Sequence, residues 1–219
     1  MRSKHQVALL QEDGFRVEMA DTPAALRDAQ ELRHQVFCLE RGVFTSEAGQ
    51  TIERDEFDHR SRHIVLRRTE DGEVIATARV VAGSAESRAD CLPMQRYCCP
   101  SLFRNLAMET LGEISRFAIS KRSRQQAPAP GPLLRLGLLR GILRASQGMG
   151  LTHWCALMEP SLLRLLQATG VHFAPLGPMV EAYGRRQPCI AAIDLTLASG
   201  RRRRPEFYHW VAGERFQPS

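Results

Sequence analysis

A glutamate and an arginine stand three positions apart in an apolar stretch, L-G-E-I-S-R-F-A-I, at residues 111–119. Alternating apolar and polar residues of this kind are typical of a half-buried β-strand. Because neighbouring side chains of a strand point to opposite faces, a bulge or kink must lie between Glu113 and Arg116 if both serve one site. A carboxylate in such a position is suited to general-base chemistry.

A second set of charged residues lies upstream, in the segment E-R-D-E-F-D at residues 53–58. Asp55 and Asp58 of this segment balance two arginines on predicted strands, Arg79 and Arg116. An equal number of acids and bases predicts a buried network, which is tolerated only if every member is paired. We therefore expect these four side chains to lie within salt-bridge range, directly or through one water, and to hold a substrate.

The order and spacing of these residues resemble those of the acyl-homoserine-lactone synthases and of the long-chain N-acyl amino acid synthases. The matching positions are Arg33, Phe37, Asp55, Asp58, Arg79, Glu113 and Arg116. The resemblance implies an α/β GNAT acyltransferase fold, with a central mixed β-sheet flanked by helices on both faces. Two further stretches resemble the acyltransferases associated with the exosortase (PEP-CTERM) system of bacterial exopolysaccharide clusters: T-H-W-C-A-L-M-E-P-S-L-L-R-L-L at 152–166 and G-R-R-Q-P-C at 184–189.

The resemblance also implies substrate-binding roles for individual residues. Arg33 and Phe37 match an Arg and a Phe on the family's N-terminal helix, and the matching acids and arginines lie beside the amine-bearing substrate. Where the lactone synthases carry a Trp, this chain has Phe44, which supplies no N–H donor. Phe117 and Ala118 match the backbone region that meets the oxyanion, where the central strand separates from the next one. Ordinary core packing is the alternative role for Phe37, Phe44 and Phe57.

Glu113 is the first candidate for the catalytic base, and Arg116 is assigned to the same catalytic site. An α-amino group titrates at about pH 8 and is mostly protonated at neutral pH, so a carboxylate that accepts its proton assists amide formation from an acyl thioester. The alternative is that Glu113 pairs with a nearby Arg and ties strands together; the resemblance favours the catalytic role. A separation of the strands would also open a slot for the pantetheine arm between residues 113–119 and 151–158.

The segment after the central strand, K-R-S-R-Q-Q-A-P-A-P-G-P at residues 121–132, bears on the acyl donor. CoA-dependent GNAT enzymes commonly carry a glycine-rich loop there, whose backbone N–H groups bind the pyrophosphate. Three prolines remove three such donors, so acyl-CoA is the less favoured donor. Lys121, Arg122 and Arg124 instead suit docking of an acidic acyl carrier protein, which delivers the same thioester. No permanently bound cofactor is expected.

Length and composition favour one globular domain over residues 1–219. The net charge of +6 favours an acidic partner. Six cysteines without a C-x-x-C pair, and no paired histidines at zinc spacing, predict reduced thiols and no metal site. Since no signal peptide or membrane-spanning stretch is apparent, we expect a soluble cytoplasmic protein.

The hydrophobic pattern assigns these residues to strands and helices. We expect strands at 15–19, 62–68, 73–81, 111–120, 151–158, 171–175 and 189–195. Asp71-Gly72, between the second and third of these strands, is a strong signal for a hairpin turn. We expect helices at 23–41, 133–147, 160–169 and 205–216, and a weaker helical segment at 92–108 that Pro100 interrupts. Gly137 and Gly141 lie one turn apart, and either admit the pantetheine arm or serve helix packing.

These observations predict an N-acyltransferase that moves a fatty acyl chain from acyl carrier protein to the amine of an amino acid or a related small molecule. The alternative within the class is an acyl-homoserine-lactone synthase using S-adenosylmethionine, which Phe44 disfavours. The alternative outside the class is a non-catalytic basic module that binds nucleic acid or an anionic membrane. A balanced charge cluster on apolar strands argues against this module, because a pure binding surface does not need one.

Overall fold

The computed structural model describes residues 10–12, 14–122, 131–168 and 170–213. Its strands are β1 (Leu10–Glu12), β2 (Phe15–Met19), β3 (Ser61–Arg68), β4 (Val74–Ala82), β5 (Leu111–Ile119), β6 (His153–Met158), β7 (Ala174–Pro175), β8 (Val180–Glu181) and β9 (Arg185–Ala192). Its α-helices with described bounds are α1 (Pro23–His34), α2 (Gly131–Gly148), α3 (Pro160–Ala168), α4 (Ile193–Arg203) and α5 (Pro205–Ala212). None of the described helices is long and apolar enough to cross a membrane.

The chain divides into two compact units, and each is described by itself. The first unit comprises Met1–Arg79 and Arg116–Ala145, and the second comprises Val80–Ser115 and Ser146–Ser219. Strands β4 and β5 therefore contribute residues to both units.

The sheet of the first unit begins with antiparallel strands in the order β1, β2, β3, followed by β4. The turn between β3 and β4 is the predicted Asp-Gly hairpin, in which Gly72 has a φ of +74° and Arg68 N–H donates to the Glu73 carbonyl at 2.8 Å.

Glycines of α2 lie against this sheet. A Cβ added at Gly141 would be 2.4 Å from Cγ2 of Ile64, and one at Gly137 would be 3.0 Å from Cδ2 of Leu66. These glycines therefore serve helix packing, one of the two alternatives left open by the sequence.

The predicted helix at 23–41 begins as expected but changes character. Thr22 is its N-cap, with Oγ1 accepting a hydrogen bond from Ala25 N–H, and Pro23 follows at the first helical position. After His34 the backbone becomes a π-helix over Gln35–Glu40. Such widened turns are rare and recur at functional sites. The prediction of one continuous α-helix was wrong because an α-helical hydrophobic pattern does not reveal an inserted residue.

The second unit holds the parallel part of the sheet. Strand β5 pairs in parallel with β6, and β9 pairs in antiparallel register with β6, β7 and β8. Parallel and antiparallel pairings together make the mixed sheet of an α/β protein, which confirms the predicted class. Trp154 of β6 is buried, where its indole N–H donates to Ser146 Oγ at 2.8 Å and its ring stacks on Phe173.

One predicted element of the second unit was wrong, and two predicted strands have different bounds. The helical segment at 92–108 is instead a series of short 3-10 turns at Pro93–Arg96, Pro100–Phe103 and Met108–Thr110, each too short for α-helical hydrogen bonding. The strand predicted at 171–175 is reduced to β7. The strand predicted at 189–195 begins earlier and ends at Ala192, where α4 starts with Asp194 in its first turn.

Candidate active site

Three arginines and three carboxylates of the first unit form a closed ring of salt bridges, called here the ionic ring. Arginines and acids alternate around it, each residue contacts the next, and the last contacts the first: Arg33, Glu53, Arg116, Asp55, Arg79, Asp58. The predicted proximity of Asp55, Asp58, Arg79 and Arg116 is thereby confirmed. Alternation of sign means that each charge has oppositely charged neighbours on both sides, as a buried network requires.

The innermost members of the ionic ring are fully buried. Arg33 and Arg79 have exposed side-chain fractions of 0%, so their charges depend on the ring for compensation. Arg33 donates from Nη1 to Oδ1 of Asp58 at 2.8 Å, and Arg79 donates from Nη1 to the same oxygen at 2.6 Å. Gln30 donates to the other Asp58 oxygen at 2.9 Å. Within the described residues, Nη2 of Arg33 is buried without a hydrogen-bond partner.

Arg116 supplies the predicted kink in β5. Its φ is +51°, in the left-handed region that residues other than glycine rarely adopt. Such a conformation costs on the order of 1–3 kcal/mol and persists only where surrounding contacts stabilise it. Here the guanidinium donates through Nε and Nη2 to both carboxylate oxygens of Glu53, at 3.0 and 2.9 Å, and through Nη2 to Asp55 at 2.9 Å. Bidentate pairing of this kind is among the stronger ionic contacts.

The arginines keep the ring carboxylates ionised. Burial by itself raises the pKa of Glu53, Asp55 and Asp58, but hydrogen bonds and charges from the neighbouring arginines outweigh it and lower the pKa of all three. The pKa of Asp58, which lies between Arg33 and Arg79, is lowered furthest below its usual range. At neutral pH the ring therefore holds three negative and three positive charges.

His63 lies beside the ionic ring in its neutral form. Burial lowers its pKa to about 4, against the opposing effect of the nearby Asp58 charge. Its Nε2 is 3.2 Å from the backbone carbonyl of Asp58. Because a carbonyl can only accept a hydrogen bond, the imidazole proton of His63 is on Nε2. Its Nδ1 is buried without a partner among the described residues.

Two of the predicted aromatic residues flank the ionic ring. The Phe37 and Phe44 rings are 5.5 Å apart between centroids, and Cζ of Arg116 lies 4.7 Å from the Phe44 centroid, a cation–π distance. Phe37 and Ala118 also belong to a buried apolar cluster of the first unit, on which Phe44 packs. Phe117 is half-buried on β5. The core-packing alternative therefore describes Phe37, whereas Phe44 contacts both the core and a ring arginine.

Glu113 occupies a different environment in the second unit. Its side chain is buried, with a relative exposure of 3%, and Oε2 accepts a hydrogen bond from Met94 N–H at 2.7 Å. Two thiols are near enough to respond to its charge. Burial first, and Glu113 second, raise the pKa of Cys98 to about 11 and that of Cys155 well above its ordinary value. Both thiols are therefore neutral at physiological pH.

The pairing of β5 with β6 ends at Glu113. The parallel register runs from Leu111 opposite His153 to Glu113 opposite Cys155, whereas β6 continues to pair with β9 as far as Met158. The predicted separation of the central strand from its neighbour is thus present within the second unit. It begins at the residue that the sequence predicts as the base.

A family model for the acetyltransferase (GNAT) domain matches residues 32–130, which include both the ionic ring and Glu113. Solved structures match over most of the chain. The chain has the GNAT fold. The acyl-homoserine-lactone synthase LasI matches with a TM-score of 0.62 and 19% identity over 80% of this chain and 88% of its own.

Two further structures with this fold are similar to the chain. FeeM, an N-acyl amino acid synthase from uncultured soil microbes, matches with a TM-score of 0.62 and 12% identity over 84% of this chain and 94% of its own. The CoA-dependent acyl-homoserine lactone synthase BjaI, solved with SAM and isopentyl-CoA, has a TM-score of 0.58 and 21% identity over 81% of each chain. Among curated protein sequences, none matches this one. The association with exosortase systems stays a prediction.

Sequence reasoning missed two acidic residues of the first unit. Glu53 closes the ionic ring, and its position two residues before Asp55 in the same charged segment was an available signal. Glu40 ends the π-helix and accepts hydrogen bonds from Ser120 Oγ and Lys121 N–H, both at 2.9 Å. Because 80 residues separate Glu40 from Ser120, no local pattern could have predicted that contact.

The predicted carrier-docking residues lie partly within the described chain. Lys121 and Arg122 are exposed, immediately after the Ser120 contact with Glu40. Arg124 and most of the proline-rich segment, residues 123–130, are outside the described residues. In the part of the chain that the structure describes, no group of three or more His, Cys, Asp or Glu side chains is arranged to hold a metal ion.

Proposed function

We propose that this protein is an N-acyltransferase that transfers a fatty acyl chain from acyl carrier protein to the amine of an amino acid or a related small molecule. The observation that carries the proposal is the position of Glu113. It is a buried carboxylate at the last residue pair between β5 and β6, where two parallel strands of a GNAT sheet separate. The similarity of fold to LasI and FeeM supports the same class of reaction.

In the proposed reaction, Glu113 accepts a proton from the ammonium group of the acceptor, directly or through water. The freed amine attacks the thioester carbon and forms a tetrahedral intermediate, whose oxyanion is met by backbone N–H groups of β5. Collapse of the intermediate breaks the C–S bond. The amide nitrogen loses its second proton, and the departing pantetheine thiolate gains one, so that amide and thiol are the products.

The ionic ring is proposed to shape the acceptor site and not to perform proton transfer. Its carboxylates are each paired with two arginines and remain ionised because those arginines lower their pKa, which makes them poor proton acceptors. Its least buried members, Asp55 and Arg116, have exposed side-chain fractions of 16% and 14%. With Phe44 stacked on Arg116, they present an acid, a base and an aromatic face, a combination that suits an amino acid with its own two charges.

The donor is proposed to be acyl carrier protein, because exposed Lys121 and Arg122 supply the positive charge that attracts an acidic carrier. A CoA-dependent synthase is among the similar structures, so the choice of donor requires a direct comparison. A carrier-linked chain and its CoA counterpart present the same thioester, and differ in the surface that the protein must recognise.

The proposal is tested by incubating the purified protein with matched acyl carrier protein and CoA thioesters and a mixture of amino acids. Thiol release gives the rate, and mass spectrometry of extracted lipids identifies the product. We expect N-acyl amino acids, with the carrier-linked donor preferred. Acyl-homoserine lactone formed from added S-adenosylmethionine would favour the lactone-synthase alternative. Absence of thiol release with every donor and acceptor, together with binding to nucleic acid or anionic vesicles, would instead favour the non-catalytic module.

A further inference from the structure

We infer that Gln95 and Arg88 are positioning residues that hold the Met94 backbone N–H against the Glu113 carboxylate. The inference rests on the proposed function, in which Glu113 is the base. Gln95 and Arg88 take no part in the proposed proton transfer and act on Glu113 only through Met94. A hydrogen bond to an ionised carboxylate stabilises the charged form, so the group that fixes the donor also controls the pH range over which the base works. All of the residues involved belong to the second unit.

Gln95 fixes the turn that carries Met94. The turn begins at Leu92 and spans Pro93–Arg96. The Gln95 side chain accepts from Leu92 N–H at 2.8 Å, while Gln95 N–H donates to the Leu92 carbonyl at 3.1 Å. This reciprocal arrangement resembles a capping box, in which a side chain three residues into a turn satisfies the first backbone donor. It sets the orientation of the intervening Met94 N–H.

Arg88 ties the same turn to the rest of the segment. The Gln95 side chain donates through Nε2 to the Arg88 carbonyl at 2.7 Å. The Arg88 guanidinium in turn reaches the backbone carbonyls of Phe103, Arg104 and Leu106 at 3.0–3.2 Å. One long side chain thus joins the start of the segment to its end, and Gln95 joins both to the Met94 turn. A cross-linked loop of this kind restricts the movement of the N–H donor.

Two thiols that feel the charge of Glu113 stay neutral in the acidic range. Burial first, and Glu113 second, raise the pKa of Cys98 and of Cys155, so both remain uncharged there. They therefore do not titrate where the carboxylate gains its proton. A change in the Met94 hydrogen bond should consequently appear in the acidic limb of the pH–rate profile, without a competing change from the thiols.

The experiment replaces Gln95 by Met, which keeps the side-chain length and removes both of its backbone hydrogen bonds. We expect kcat to fall about 10-fold and KM for the acyl thioester to stay unchanged. The reason is that the Met94 hydrogen bond acts on the Glu113 carboxylate and not on binding of the thioester. The acidic limb of the kcat profile should move to higher pH. Gln95→Glu keeps the acceptor for Leu92 N–H and loses the donor to Arg88, so its effects should be intermediate.

Gln187→Met is the matched control. Gln187 is a half-buried glutamine of the same unit, whose side chain donates to the Gly177 and Pro188 carbonyls at 2.7 and 2.9 Å. Its replacement loses two hydrogen bonds to backbone and should leave the pH profile in place. A shift of equal size in this control would assign the Gln95 effect to general loss of structure and would overturn the inference.

Amide hydrogen exchange at Met94, followed by NMR, tests the same inference without enzyme activity. Protection of this amide should fall about 10-fold in Gln95→Met and stay unchanged in Gln187→Met. Unaltered protection in Gln95→Met would overturn the inference, even if acyl transfer is demonstrated. Full activity in Glu113→Gln would contradict the assignment of Glu113 as the base. Loss of Met94 amide protection in Gln95→Met would still show that Gln95 holds the Met94 N–H in place.

Discussion

The ionic ring and the Glu113 environment use carboxylates in opposite ways. In the ring, three acids alternate with three arginines, and every acid has its pKa lowered. Glu113 accepts a hydrogen bond from the neutral Met94 amide, and its charge adds to the burial that raises the pKa of two thiols. The comparison shows that a carboxylate paired with two arginines is held in its charged state, which makes it a poor proton acceptor. We therefore propose that proton transfer belongs to Glu113, which lies outside the ionic ring.

The same difference predicts that substitutions in the ionic ring affect mainly stability, whereas substitution of Glu113 affects mainly the reaction rate. Removing one member of the ring leaves each of its two neighbours with one partner fewer and gives the buried network a net charge, so the ring is expected to dominate the stability of the first unit. Replacing Glu113 by Gln removes its charge and keeps an oxygen for the Met94 N–H, so we expect its effect in the rate and not in folding.

Arg33→Met should destabilise the protein by about 3–5 kcal/mol, because Glu53 and Asp58 each lose a buried partner. The free energy of unfolding in urea measures the change. Arg62→Met is the matched control: Arg62 pairs with Asp21 at 3.1 Å, but both side chains are more than half exposed. Its expected cost is below about 1 kcal/mol. Similar costs for the two variants would mean that the ring does not act as a buried network.

His63 should make stability depend on pH above the range of the carboxylates. Its pKa is about 4 when folded and 6.5 in the unfolded chain, so between these values the unfolded state binds more protons and stability falls as pH falls. The full change is about 3 kcal/mol, of which about 2 kcal/mol should be lost between pH 7.5 and pH 5. His63→Gln, which keeps a donor for the Asp58 carbonyl, should remove most of this loss in urea titrations at the two pH values. Equal pH dependence in both proteins would contradict the assignment.

The ring carboxylates act lower on the pH scale. Since their folded pKa is lowered, their contribution to stability is present above their unfolded pKa of about 4 and is lost as pH falls below it. Wild-type and His63→Gln should therefore share an acid transition below about pH 4. An acid-stable fold in this range would contradict the paired state of the ring.

Reversing the exposed charges at Lys121 and Arg122 to Glu should raise KM for the carrier-linked donor several-fold and leave KM for acyl-CoA nearly unchanged. Added salt should reduce the wild-type preference, because exposed charges are screened beyond about 8 Å at physiological ionic strength. Reversal of Arg202 and Arg203, which are exposed in the last turn of α4, makes the same change in net charge elsewhere. Equal effects of the two double variants would indicate general attraction and no specific docking surface.

Local sequence patterns predicted the parts of the molecule that depend on neighbouring residues. Strand β2 has its predicted bounds, the Asp-Gly hairpin joins β3 to β4, and the charge balance of Asp55, Asp58, Arg79 and Arg116 indicated a buried network. The odd spacing of Glu113 and Arg116 predicted an irregularity, and the left-handed φ of Arg116 supplies it.

The remaining features depend on contacts between distant positions, which no periodicity encodes. The position of Glu53 in the charged segment made it a candidate for the ring, but spacing could not show that Glu53, and not Glu56, pairs with Arg33 and Arg116. The hydrophobic repeat of α1 continues through the π-helix without a break. The brace of Arg88 and Gln95 joins backbone groups up to 18 residues apart within a segment that lacks any regular repeat.

The most direct test of the account is the single-turnover rate of Glu113→Gln with a saturating acyl thioester and acceptor. Glutamine keeps a carbonyl oxygen for the Met94 N–H, so the fold should be preserved, and urea unfolding together with Met94 amide protection verifies this. We expect the rate to be lowered by about 10²-fold or more, the usual scale for loss of a general base. A rate close to that of the wild-type protein in a correctly folded variant would contradict the assignment of Glu113 as the base.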